Sequence, residues 1–92
     1  MTRAQIDDVF QEIRYVMDLY GVEGRIDYNT RFRNPEFVIE NYSIVGEGAY
    51  LPESDFISEL GLALNELLGT FSYLNAYPDI DGSDISIMLL DH

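Results

Sequence analysis

Apolar positions in the first twenty residues recur at helical spacing: Ile6, Val9, Phe10, Ile13, Val16, Met17 and Tyr20 keep the i, i+3, i+4, i+7 interval without a break. The spacing predicts an amphipathic helix. Thr2 and Gln5 stand at capping-box distance before it, and Gly21 supplies a left-handed stop after it. Asp7 and Asp8 are expected in its first turn, where the helix dipole favours negative charge. Tyr15 falls on the polar side, among carboxylates.

After a connection at Val22 to Gly24 the period changes to two. From Arg25 to Arg33, Ile26, Tyr28, Thr30 and Phe32 point one way, and Arg25, Asp27, Asn29, Arg31 and Arg33 the other, as in a half-buried strand. Asn34-Pro35 reads as a turn, so Phe37 to Val45 returns antiparallel as the second strand of a hairpin. Phe37, Val38 and Ile39 are consecutive, which requires a strand covered on both faces or a bulge. Gly46-Glu47-Gly48 marks another turn, and Ala49 to Leu51 adds a short strand that Pro52 stops.

The longest periodic run is Phe56 to Leu74, a second helix with Ser54 or Asp55 as its cap. Leu60, Leu64, Leu67, Phe71 and Leu74 form its apolar stripe, with Phe56, Ile57, Ala63 and Leu68 at the edges; Asp55, Glu59 and Glu66 form an acidic line, and Tyr73 lies on that line. Ser58, Gly61, Asn65, Gly69 and Ser72 form a third stripe of small residues. Glycine inside a helix costs about 1 kcal/mol relative to alanine. The expected compensation is close approach of another backbone, either the first helix or a second copy of the chain. Asn75 to Pro78 ends the helix, Asp79 to Asp84 turns, and Ile85 to Leu90 is a final strand that could pair with either member of the hairpin.

These elements predict one α+β domain over residues 1–92: two amphipathic helices on one face of a mostly antiparallel sheet of three or four strands, in the order α-β-β-(β)-α-β. Composition limits its chemistry. Cysteine is absent, which removes disulfides, thiolate nucleophiles and zinc ribbons, and the single histidine is the last residue. No apolar run reaches the roughly 18 residues of a membrane span, and the N-terminus has no signal-peptide core, so the expected location is the cytoplasm. Asp79, Asp81, Gly82 and Asp84 invite a calcium reading, but with Gly82 at the sixth position of a calcium loop, Tyr77 and Met88 fall where ligands are required. Glu53 and Asp55 could supply an acid and a base, yet both flank a helix start, which accounts for them. No enzyme, cofactor or metal site is expected.

Charge changes the picture more. The chain carries -12, and its five arginines all lie in residues 1–33; residues 34–92 hold eleven acids and no base. Such a surface repels nucleic acid and anionic membrane and attracts basic partners. A solubilising or salt-adapted acidity is the plain alternative. Arginines on the first strand are expected to pair with acids on the same sheet. Helix carboxylates at i and i+4 stand about 6 Å apart, and alternate strand residues about 6.6 Å, comparable to successive phosphates. The expected function is therefore an inhibitor that binds a basic, nucleic-acid-binding protein by presenting carboxylates where phosphates would go. Glu47, Glu53, Asp55, Glu59, Glu66 and Tyr73 are the candidate contacts, with tyrosine as anchor and acids for steering. In length, acidity and lack of cysteine the chain is similar to phage-encoded inhibitors of host defence, anti-CRISPR proteins among them, a likeness of composition that covers no motif. The alternatives are an immunity protein or antitoxin that caps a basic toxin, and a small structural or assembly protein that dimerises through its small-residue stripe.

Overall fold

Residues 1–45 and 53–91 are described by the structure, a computed structural model. The elements are α1 (Arg3–Tyr20), β1 (Val22–Arg31), β2 (Asn34–Ile44), α2 (Glu53–Leu68), β3 (Leu74–Asp81) and β4 (Asp84–Asp91). Glu47, the turn around it, the expected short strand at Ala49 to Leu51, and His92 lie outside the described residues.

Thr2 and Gln5 form the capping box: Gln5 N–H donates to Thr2 Oγ1 at 3.2 Å and Thr2 N–H to Gln5 Oε1 at 2.8 Å. Because α1 starts at Arg3, no acid falls in its first turn; Asp7 and Asp8 sit one turn later than expected. Gly21 closes the helix at φ 65° and turns the chain into β1, which begins at Val22 rather than Arg25.

The β1–β2 turn is Phe32-Arg33, not Asn34-Pro35. Both residues have positive φ, 51° and 68°, the type I′ arrangement whose twist suits a two-residue hairpin. Asn34 pairs with Arg31 and Pro35 with Thr30, inside the ladder. Proline is tolerated there because β2 meets β4 only from Glu36 onward, so no neighbour asks for the missing N–H. Phe32 is consequently turned out and 83% exposed instead of sharing the inner face with Ile26 and Tyr28.

β2 is both central and bulged. Arg25 pairs with Glu40 but Glu23 pairs with Ser43, so β2 carries one extra residue, at Asn41, whose φ is 49°. Gly24 opposite makes room: a Cβ there would stand 2.7 Å from Ile39 Cγ2 and 3.1 Å from the Glu40 carbonyl. The extra residue inverts the alternation, so that Tyr42 and Ile44, following Ile39, pack toward the core.

α2 ends at Leu68, earlier than its periodicity implies. The last carbonyls accept from the next turn, with Thr70 N–H and Oγ1 both on Leu67 O at 3.1 and 2.7 Å, and Ser72 N–H on Leu68 O at 2.7 Å. Ser54 and Asp55 lie within the first turn rather than at the cap, and the buried stripe is Phe56, Leu60, Leu64 and Leu68. Leu74 opens β3, an edge strand that accommodates Pro78. β3 is also what approaches the small-residue stripe. The Asn65 side chain accepts from Ala76 N–H at 2.7 Å and donates to Ala76 O at 3.3 Å, and a Cβ on Gly61 would meet Pro78 at 3.5 Å. At Gly61 and Asn65 that role belongs to β3 and not to α1.

The four strands form one antiparallel sheet ordered β1-β2-β4-β3. β4 is interior, and its Ile85, Ile87 and Leu89 join Phe37, Ile39 and Ala76 beneath the helices. Phe10 on α1 meets the Phe37 ring edge-on at 5.1 Å. The other sheet face is open, and Arg25, Asp27, Asn29 and Arg31 lie on it; Arg33 is in the turn.

Candidate protein-binding surface

Of the carboxylates expected to act together, Glu53, Asp55, Glu59 and Glu66 all lie on α2, and Glu47 is outside the described residues. Asp55, Glu59 and Glu66 share the outward side of α2 and are exposed, with Glu66 about 10 Å along the axis from Glu59. Glu53, at the start of the helix, is exposed too. Tyr73 is 91% exposed but belongs to the α2–β3 connection, beyond the end of the helix, so it is not on the acidic line.

Two tyrosines tie the start of α2 to the rest of the molecule. Tyr20, the last residue of α1, meets the Phe56 ring at 5.9 Å; burial, then the charges of Glu59 and Asp55, raise its hydroxyl above the ordinary phenol range. Leu19, Tyr20, Asp55, Ser58 and Glu59 line a hollow of about 410 Å³ between the helices. Tyr42, carried to this side by the bulge, is raised in the same way by burial, then by the charge of Glu53 and a hydrogen bond with it. Its backbone N–H donates to Ser83 O at 3.1 Å, and Asn41 N–H donates to Asp84 Oδ1 at 3.0 Å. The β3–β4 turn therefore lies against the bulge.

Across the open sheet face the acids continue. Asp81 pairs with Asp84 in the ladder, and Glu40 lies between Asp84 on β4 and Asp27 on β1. Glu40 is held above the usual carboxylate range, chiefly by a hydrogen bond with Asp27, then by burial and the charges of Asp27 and Asp84, with Arg25 opposing. Glu53, Asp81, Asp84 and Glu40 thus gather around the bulge, toward one end of the molecule, with Asp27 beside Glu40 on the sheet and Asp55 and Glu59 continuing along α2. Asp7, Asp8 and Glu12 on α1 lie away from it. At the opposite end the hairpin tip displays Phe32 and Arg33.

The sequence did not point to Glu40, Asp27 or Tyr42. Their assembly depends on the strand order and on a one-residue bulge, which no periodicity announces. Asp81 and Asp84 were visible as an acidic turn; Gly82 at φ 64° closes it, and among the described residues no three potential ligands converge on a metal position.

Arginine answers acid locally on the sheet, as expected. Arg25 Nε lies 3.3 Å from Asp27 Oδ1, and Arg31 Nη1 lies 3.4 Å from Glu36 Oε2. Glu36, only 4% exposed, also accepts from Ser86 Oγ at 2.8 Å, a buried carboxylate the alternation gave no reason to expect. Among the described residues no ion pair with arginine involves a carboxylate of α2, β3 or β4. No protein-family model matches the chain, and no curated protein matches it.

Proposed function

We propose that the protein binds the cationic cleft of a nucleic-acid-binding protein and blocks it, its carboxylates standing in for phosphates, in the manner of phage anti-defence or anti-CRISPR inhibitors. The observation that carries this reading is the gathering of acids from the start of α2, β2 and the β3–β4 turn around the bulge, without arginine partners on the α2 and turn side among the described residues. Neighbouring strands place such groups about 4.8 Å apart and alternate positions along a strand about 6.6 Å apart, a lattice that a groove built for phosphates can engage. Exposed Leu19 and Leu62 on the helix side offer apolar contact beside the acids.

The test is affinity capture of a partner, followed by charge reversal. Glu59→Lys with Glu66→Lys, and separately Asp81→Lys with Asp84→Lys, are each expected to weaken the captured complex by about tenfold or more, and wild-type binding is expected to fall steeply with salt. Unchanged affinity in both double variants sinks the reading. A captured nuclease toxin, in place of a defence effector, would assign the same surface to an immunity protein.

A further inference from the structure

The sheet has two outer edges, and they differ. β3 carries Pro78, with Asp79 and Asp81 beside it, features that discourage pairing with another strand. β1 is ten residues long with no proline, and among the described residues no strand pairs with its outer side. With a two-residue turn the flanking Arg31 and Asn34 form a hydrogen-bonded pair, so the ladder's alternation turns the N–H and C=O of Ile26, Tyr28 and Thr30 outward. Beside this edge, between α1 and β1, lies a hollow of about 630 Å³ lined in part by Met17, Val22 and Ile26. The molecule's charge is also least negative here: residues 22–33 hold Arg25, Arg31 and Arg33 against Glu23 and Asp27.

We propose that β1 pairs antiparallel with β1 of a second copy, Tyr28 opposite Thr30 of the other chain, joining two sheets into one of eight strands. Charge favours this register over those centred on Tyr28 and Asp27, and it places the Asp27–Arg31 pairs within β1 itself. Centring the pair on Tyr28 sets Arg25 against Arg31, and centring it on Asp27 sets that carboxylate against itself. Centring on Ile26 drives both strands into the register shift at Gly24, opposite the β2 bulge. With Asn29 on the axis, Asp27 of each copy faces Arg31 of the other, and Phe32 comes opposite Ile26 at the mouth of the hollow; Arg25 comes level with Arg33, but Arg33 lies in the turn beyond the end of β1 and Arg25 keeps its 3.3 Å contact with Asp27. The ring held out by a left-handed backbone thereby gains an apolar seat.

The chain has no cysteine, so Asn29→Cys introduces a single thiol. At a non-hydrogen-bonded pair on the axis the two Cα atoms lie about 4.5 Å apart, within the range of roughly 4.4–6.8 Å that a disulfide spans. Mild oxidation is expected to give a covalent dimer of twice the 10.5 kDa chain mass. It should form at least about tenfold faster than with Asp79→Cys on the opposite edge. Asp27→Arg and Arg31→Asp should each abolish the dimer, and mixing the two should restore it, because the mixed pair regains both charge contacts. If Arg31→Asp fails to fold for want of the Glu36 contact, loss of the dimer in Asp27→Arg decides. A 10.5 kDa mass for the wild type at every concentration in light scattering, equal oxidation rates for the two cysteine variants, or a dimer indifferent to Asp27→Arg would each overturn the proposal.

Discussion

Phe32 and Arg33 hold left-handed backbone conformations that cost L-residues about 1–2 kcal/mol each. Asparagine is the residue type I′ turns prefer, so Phe32→Asn should relieve much of that cost, less about 0.5–1 kcal/mol for the Arg31 guanidinium lying 5.7 Å over the ring. Measured where the protein is monomeric, its melting temperature is expected to rise by a few degrees; a fall would mean that the ring contributes packing the turn does not reveal. Glu40 gives a pH-dependent case. Its carboxyl binds a proton more readily when folded than when unfolded, so the stability it contributes is full below the ordinary glutamate range and lost as pH rises through its raised value. Glu40→Gln keeps a donor for Asp27 and removes the charge. The variant should gain stability over wild type at pH 7 and lose that advantage by pH 4, in thermal melts at the two pH values; equal curves would contradict the raised Glu40 carboxyl.

Glycine contacts separate the elements just as sharply. Gly24→Ala forces a Cβ against Ile39 and the Glu40 carbonyl, and overpacking of this kind costs about 1–3 kcal/mol. Gly61→Ala meets Pro78 at an ordinary 3.5 Å and gains about 1 kcal/mol of helix propensity. Denaturant unfolding should thus move the two alanines in opposite directions. The same elements show what was legible in advance. α1 was clear from its period and both caps, because every signal there is local. The hairpin was clear from strict alternation, yet its turn was misplaced, since Asn34-Pro35 is the stronger turn dipeptide and Phe32-Arg33 carries none of the usual turn residues. α2 ran too long because Leu68, Phe71 and Leu74 keep a three-residue step past the true end. β3 was missed because an edge strand bearing Pro78, Asp79 and Asp81 has the composition of a loop. The bulge at Asn41 could not be read, and with it went Tyr42, Glu40 and the greater part of the acidic end.

For the whole molecule the decisive feature is the disposition of charge, not its total. Two carboxylates, Asp27 and Glu36, make ion pairs with arginine among the described residues, both on the sheet. The acids at the start of α2 and at the β3–β4 turn converge from distant parts of the chain onto one end, while Arg31 and Arg33 stand toward the other. On the proposed function, such a surface would steer a cationic groove in one orientation, with an attraction that weakens with salt over a Debye length of about 8 Å at physiological ionic strength. Acidity serving only solubility would need no such convergence. The measurement that bears on this most directly is competition on a captured partner: nucleic acid is titrated against the bound protein, wild type beside Glu59→Lys with Glu66→Lys and Asp81→Lys with Asp84→Lys. Nucleic acid should displace the wild type, and each charge reversal should bind about tenfold more weakly or worse. A partner that holds the protein and nucleic acid together, with both reversed variants binding as tightly as wild type, would contradict the assignment of this acidic end as a phosphate mimic.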